Sequence, residues 1–97
     1  MTTCYINGKY KPLSQSTVSV TDRGYQFSDG VYEVIAVFKN EFVDFKLHLN
    51  RLFVSLKKMD MKINLNKNQI ESITKKVKKI NQLEMGIVYI QITRGDQ

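Results

Sequence analysis

The sequence predicts an α+β domain. Three observations carry that expectation. Short β-prone runs in the N-terminal half are joined by two-residue turn signals, and the apolar spacing becomes helical at His48. Strict alternation then returns between Ile87 and Thr93. Strands, two helices and a further strand, in that order, define the class.

Tyr5-Ile6, Asn7-Gly8 and Lys9-Tyr10 read as a hairpin, because Asn-Gly supplies the positive φ angles of a type I′ turn. Pro12 and the SQS stretch after it mark a loop, and the β-branched residues in Thr17 to Val20 predict a short strand. Val31 to Phe38 (VYEVIAVF) is apolar enough to predict a strand covered on both faces. Lys39-Asn40 turns it back into Glu41 to Phe45 as a second hairpin. From His48, the residues Leu49, Leu52, Phe53 and Leu56 fall on one helical face, with Arg51, Lys57, Lys58 and Asp60 mostly around it. A second helix is predicted from near Asn68, with Glu71 completing an approximate capping box, to near Asn81. Its stripe is Ile70, Ile73, Val77 and Ile80. Gly86 breaks the chain before the last strand, which sets Tyr89 and Gln91 on one face.

Ninety-seven residues, 42% of them hydrophobic, suit one small globular domain burying roughly 60–70% of its unfolded surface. No apolar run is long enough to span a membrane, and MTTCYINGKYK lacks an apolar signal core. Cytoplasmic residence is the expectation. Cys4 is the only cysteine and His48 the only histidine, which excludes an internal disulfide and gives poor material for a metal site. Cys4 reads as a structural thiol.

The net charge of +6 is concentrated in residues 46–79, with ten cations and two anions. Nucleic acid is the partner such an excess suggests. These cations are nearly all lysine, spread around two helices without aromatic interleaving, so solvated helix faces are the expectation instead.

Chemistry is concentrated in Asp22–Val34, DRGYQFSDGVYEV, where Gly24 and Gly30 mark sharp turns or close approaches ahead of an apolar strand. Lysine outnumbers arginine twelve to three, so Arg23, Arg51 and Arg94 stand out. Arginine is the residue suited to planar, bidentate recognition of carboxylate or phosphate. The three lie in DRG, HLNRL and TRG. Those segments, with DRGYQFSDGVYEV, closely resemble the class IV (fold type IV) pyridoxal-phosphate-dependent aminotransferases, and within them the D-amino-acid transaminases most of all.

The resemblance implies the small N-terminal domain of that family over residues 1–97, an antiparallel sheet with two helices packed on it. It implies that Arg51, at the start of the first helix, holds the phosphate of pyridoxal phosphate, aided by the positive potential of the helix's early turns. His48, on nearly the same face, either orients Arg51 or the phosphate, or is structural. Asn50 stands where relatives often carry an acid, which leaves no ion pair to Arg51 there. Tyr32 lines the substrate side, Val34 on the same face limits the pocket, and Tyr89 either faces the pocket or packs in the core. Glu33 points the other way and needs a partner, for which Arg23 and Arg94 are the candidates.

The family's catalytic lysine lies downstream of TRG in a second domain, and no lysine of this chain falls in a matching motif. No catalytic residue is therefore assigned here, and the resemblance covers about the first third of a family member. The chain reads as a truncated or split front portion, inactive alone, with pyridoxal phosphate expected on the full-length enzyme and not on this portion by itself. The substrates implied are a D-amino acid such as D-alanine and a 2-oxo acid, in a homodimer. Branched-chain aminotransferases and aminodeoxychorismate lyases share parts of the signature, but more often show Phe-Glu where this chain has Tyr32-Glu33. A non-catalytic relic and a basic nucleic-acid-binding module are the alternatives of another class.

Overall fold

The computed structural model describes residues 1–96, so Gln97, the last residue of the predicted domain, lies outside the described residues. Strands β1 (Thr3–Ile6) and β2 (Lys9–Pro12) form the expected hairpin, with Asn7 at φ 48° and Gly8 at φ 89°. A 3₁₀ turn at Leu13–Gln15 follows. The strand expected at Thr17–Val20 does not form: the segment has no neighbouring strand among the described residues to take its hydrogen bonds, and Asp22 N closes a turn onto Ser19 O instead. A short helix α1 (Arg23–Phe27) comes next, capped by the Asp22 carboxylate, which accepts from Gly24 N.

Strand β3 (Gly30–Phe38) turns through Lys39-Asn40, both at positive φ, into β4 (Glu41–Phe42). Strand β5 (Gly86–Thr93) pairs antiparallel along β3, giving the sheet order β4-β3-β5. The expectation that β3 is covered on both faces is corrected. Val31, Glu33, Ile35 and Val37 are buried, whereas Tyr32, Val34, Ala36 and Phe38 face outward. Helix α2 packs on one face of β3, so only that half of the apolar run is sheltered.

Helix α2 (Phe45–Lys58) starts earlier than the periodicity suggests, with Phe45 in its first turn stacked on Phe42 at 4.3 Å between ring centroids. Helix α3 (Lys67–Ile80) also starts earlier: its capping box is Asn66 with Gln69, not Asn68 with Glu71, and Glu71 pairs with Lys75 one turn on. Val31, Leu49, Leu52, Leu56, Met61 and Ile70 form the core between the sheet and the two helices. Several of the clustered lysines are engaged locally. Lys76 lies over the Tyr10 ring, while Lys67 and Lys78 donate to Asn50 and Asn40. No helix among the described residues is long and apolar enough to cross a membrane.

The DRG and DG segments are clamped onto the end of β5. Asp29 accepts from Arg23 Nε and Arg94 Nε, each at 2.8 Å, and Arg94 also donates to the Met59 carbonyl. Arg23 N donates to Gly95 O at 2.8 Å, and Thr93 Oγ1 donates to Asp22 at 3.1 Å. Arg23 and Arg94, the expected partners of Glu33, are thus committed to Asp29. A Cβ on Gly24 would overlap the Thr93 methyl, and one on Gly30 would sit 2.6 Å from the Ile92 carbonyl oxygen. Both glycines are close-approach positions.

Gly30→Ala must push β3 from β5, since a backbone oxygen is in the way. The expected loss is about 1–3 kcal/mol of unfolding free energy in urea titrations, the usual range for overpacking. The two guanidinium groups, Arg23's hydrogen bond first, hold the Asp29 carboxyl below its ordinary pKa. The folded state therefore binds that proton less tightly than the unfolded chain. The cluster's contribution is complete above the ordinary aspartate pKa and drains away as pH falls through the lower folded value. Asp29→Asn should lower stability at neutral pH and flatten the decline as pH falls below the ordinary aspartate range. An unchanged acid limb in urea midpoints would count against this assignment.

Candidate functional site

Alternation along β3 sends Glu33 toward α2, where His48 and Arg51, three residues apart, share a face. The carboxylate is 5% exposed and fully engaged. Its Oε1 lies 2.7 Å from His48 Nδ1 and accepts from Arg51 Nη2 at 2.8 Å, while Oε2 accepts from Arg51 Nε at 2.9 Å. The sequence points to Arg23 or Arg94 for this role. The correction follows from helix geometry: the i, i+3 spacing brings both side chains onto β3 in the second layer.

Arg51's hydrogen bonds, more than His48's, hold the Glu33 carboxyl below the usual glutamate range, against the opposing effect of burial. Glu33 in turn raises the pKa of Arg51. An ionised carboxylate only accepts, so His48 Nδ1 carries the proton and Nε2 is left as its second nitrogen. A protonated Nδ1 cannot also accept from Arg51, so the 3.4 Å separation from Arg51 Nη2 is proximity alone.

Arg51 is otherwise 62% exposed, and its Nη1 makes no hydrogen bond among the described residues. A guanidinium with one edge fixed and the other outward suits a phosphate. Because α2 begins at Phe45, Arg51 lies in the second turn, not at the helix start. The helix-terminus contribution expected there is therefore small, since it fades within the first turn. Asn50 accepts from Lys67 Nζ at 3.0 Å and takes no part in the cluster.

Tyr32, Val34 and Tyr89 form a second set on the outward face of the same sheet. Tyr32 and Tyr89, 63% and 53% exposed, stack with centroids 5.8 Å apart, and Val34 is in register with Tyr89. Tyr89 is thus not a core residue. The predicted cofactor and substrate residues are gathered into two groups on opposite faces of β3, linked through the neighbours Tyr32 and Glu33. Strand β4 covers β3 only at Val37–Phe38, so from Gly30 to Ile35 the edge away from β5 has no strand partner among the described residues. No group of three or more metal-ligating side chains occurs among the described residues.

Sequence reasoning misses Asp29 as the common acceptor of two arginines. The usable signal is its position between them, beside a glycine that the sequence does mark.

Comparison with known proteins gives the family and the fold. Residues 30–97 match the family model described as "Amino-transferase class IV". A D-alanine aminotransferase of Listeria monocytogenes serotype 4b (strain F2365) is 37% identical over 92 residues, covering 95% of this chain and 32% of that protein. One from Staphylococcus aureus (strain MSSA476) is 34% identical over 91 residues, covering 94% of this chain and 32% of its own. Among solved structures, a T.th. branched-chain amino acid aminotransferase complexed with N-(5'-phosphopyridoxyl)-L-glutamate superposes with a TM-score of 0.92. It is 20% identical, and the match covers 99% of this chain and 34% of that one. The Escherichia coli branched-chain aminotransferase gives 0.88 at 19% identity, over 93% and 32% respectively. The chain spans about a third of the length of the relatives it matches. With the family model matched from the head of β3 onward and the same fold throughout, the chain belongs to the class IV aminotransferases.

Proposed function

We propose that the chain is the N-terminal portion of a D-amino-acid transaminase, which moves the amino group of a D-amino acid such as D-alanine onto a 2-oxo acid with pyridoxal phosphate. The observation that carries this reading is the outward edge of Arg51, held side-on by Glu33 beside His48. The donor set fits a phosphate monoester, since the guanidinium keeps its charge at any working pH and offers a planar pair of N–H groups. Pyridoxal phosphate, when bound, supplies the electron sink that makes the substrate Cα–H labile.

In this reading Arg51 anchors the phosphate, and His48 supports it through the shared carboxylate. Tyr32, Val34 and Tyr89 bound the substrate side, with Val34 limiting the space next to the two rings. The chain offers no lysine in a family motif, so the amine that tethers the cofactor and moves the Cα proton comes from a second domain. Homodimerisation belongs to the same proposal. The D-amino acid is favoured because the D-alanine aminotransferases above share 34–37% of residues over nearly the whole chain. The branched-chain enzymes share the fold at 19–20% identity. Their close superposition supports the second reading, a branched-chain enzyme.

With pyridoxal phosphate, D-alanine and 2-oxoglutarate, the chain alone is expected to form no pyruvate above the protein-free rate. Sustained turnover would overturn the proposal that the lysine lies elsewhere. In the complete enzyme of which the chain forms the front, D-alanine should exceed L-leucine as amino donor by kcat/KM. The opposite order would replace this reading by the branched-chain one.

A further inference from the structure

We infer that Glu33 is a positioning residue for the anion site: it presets Arg51 so that only the outer edge of the guanidinium meets the phosphate. The inference rests on the reading of Arg51 as the phosphate anchor and adds to Arg51 and His48 of α2 a third residue, on a different element. Glu33 is buried in the middle of β3, while Arg51 stands on α2 and is mostly exposed. An exposed arginine of this length samples many rotamers, and binding an anion must select one of them. Here the selection precedes the ligand. Both carboxylate oxygens are used, Oε2 by Nε and Oε1 by Nη2, so the plane of the guanidinium as well as its direction is fixed. His48 Nδ1 lies beside Arg51 Nη2 and holds the same Oε1 at 2.7 Å, a further tether of the carboxylate to α2.

Charge counting alone gives the opposite expectation. A carboxylate beside the arginine repels an incoming phosphate, and its removal should tighten binding. Positioning says that its removal loosens binding, because the arginine must then be ordered by the phosphate itself. The two effects differ in sign, and one titration separates them.

The probe is inorganic phosphate, followed through the Nε–H resonance of Arg51 in isotope-edited NMR of this chain, with wild type, Glu33→Gln and Arg51→Lys compared. Wild type is expected to bind phosphate at Arg51 while the Nε–H proton stays protected from exchange, because Glu33 keeps its edge. Glu33→Gln, near-isosteric but uncharged, should weaken binding by about tenfold, the lower end of what loss of a partner that orients a ligating side chain costs at metal sites. Arg51→Lys keeps the charge but cannot be gripped side-on, and it should weaken binding to a similar extent.

Equal or tighter binding by Glu33→Gln overturns the inference while leaving Arg51 as the anchor. So does exposure of the Nε–H proton at saturating phosphate in wild type, a measurement that decides the matter even where Glu33→Gln does not fold. Full binding by Arg51→Lys also overturns it. If phosphate leaves the Arg51 resonances of wild type unmoved, the anchor reading itself fails and the inference falls with it.

Discussion

The structure is organised around one buried carboxylate. Glu33 lies in the middle of an otherwise apolar inward row, Val31, Ile35 and Val37, under helix α2. A charge in that place is tolerated only when its hydrogen-bonding capacity is met by charged or polar donors. Arg51 and His48 meet it from the helix, and no side-chain nitrogen or oxygen buried among the described residues lacks a partner. The requirement fixes more than an ion pair. It sets the rotation of α2 about its axis, because residues 48 and 51 must both face β3, and that rotation in turn places Leu49, Leu52 and Leu56 in the core. A polar demand and an apolar one thus select the same helix orientation.

A second anchor holds the end of the sheet. Asp29 gathers Arg23 from α1 and Arg94 from beyond β5, and the two glycines let α1 and the head of β3 lie against Ile92 and Thr93. Neither arginine is thereby available for Glu33. The pairing of guanidinium with carboxylate is used twice in the chain for different ends. At Asp29 two guanidinium groups close on one carboxylate and tie three segments together; at Glu33 one guanidinium is held by an edge and left open on the other.

Much of this is legible in the sequence, and the residues show why. Both hairpins are readable because Asn7-Gly8 and Lys39-Asn40 must adopt positive φ, a local constraint. Helix α2 is readable from Leu49, Leu52 and Leu56, since a period needs no knowledge of the partner. Its true start is not, because Phe45 belongs to the helix through its stacking on Phe42, a contact made across the turn. Thr17–Val20 misleads because β-branched residues favour a strand only where a neighbouring strand exists. The candidate site is legible only as a set of residues to consider: Tyr32, Val34, His48, Arg51 and Tyr89 stand out in the sequence through the resemblance. Their division between two faces, and the choice of Arg51 over Arg23 and Arg94 for Glu33, require the packing of α2 on β3. That packing is a long-range fact no local pattern contains.

The register of β3 ties the two groups to each other. Gly30 pairs with Thr93 and Val34 with Tyr89 along an unbroken antiparallel ladder. Sliding β3 by one residue against its surroundings would turn Glu33 out and Tyr32 in, leaving Arg51 and His48 facing a phenol and the tyrosine stack without its partner. The close approach of Gly30 to the Ile92 carbonyl resists that slide, since any residue with a Cβ brought to this point would collide. The glycine therefore does for both faces what neither could do alone. It locks the strand at the one setting in which the carboxylate meets the guanidinium on the helix side and the two tyrosines meet on the other.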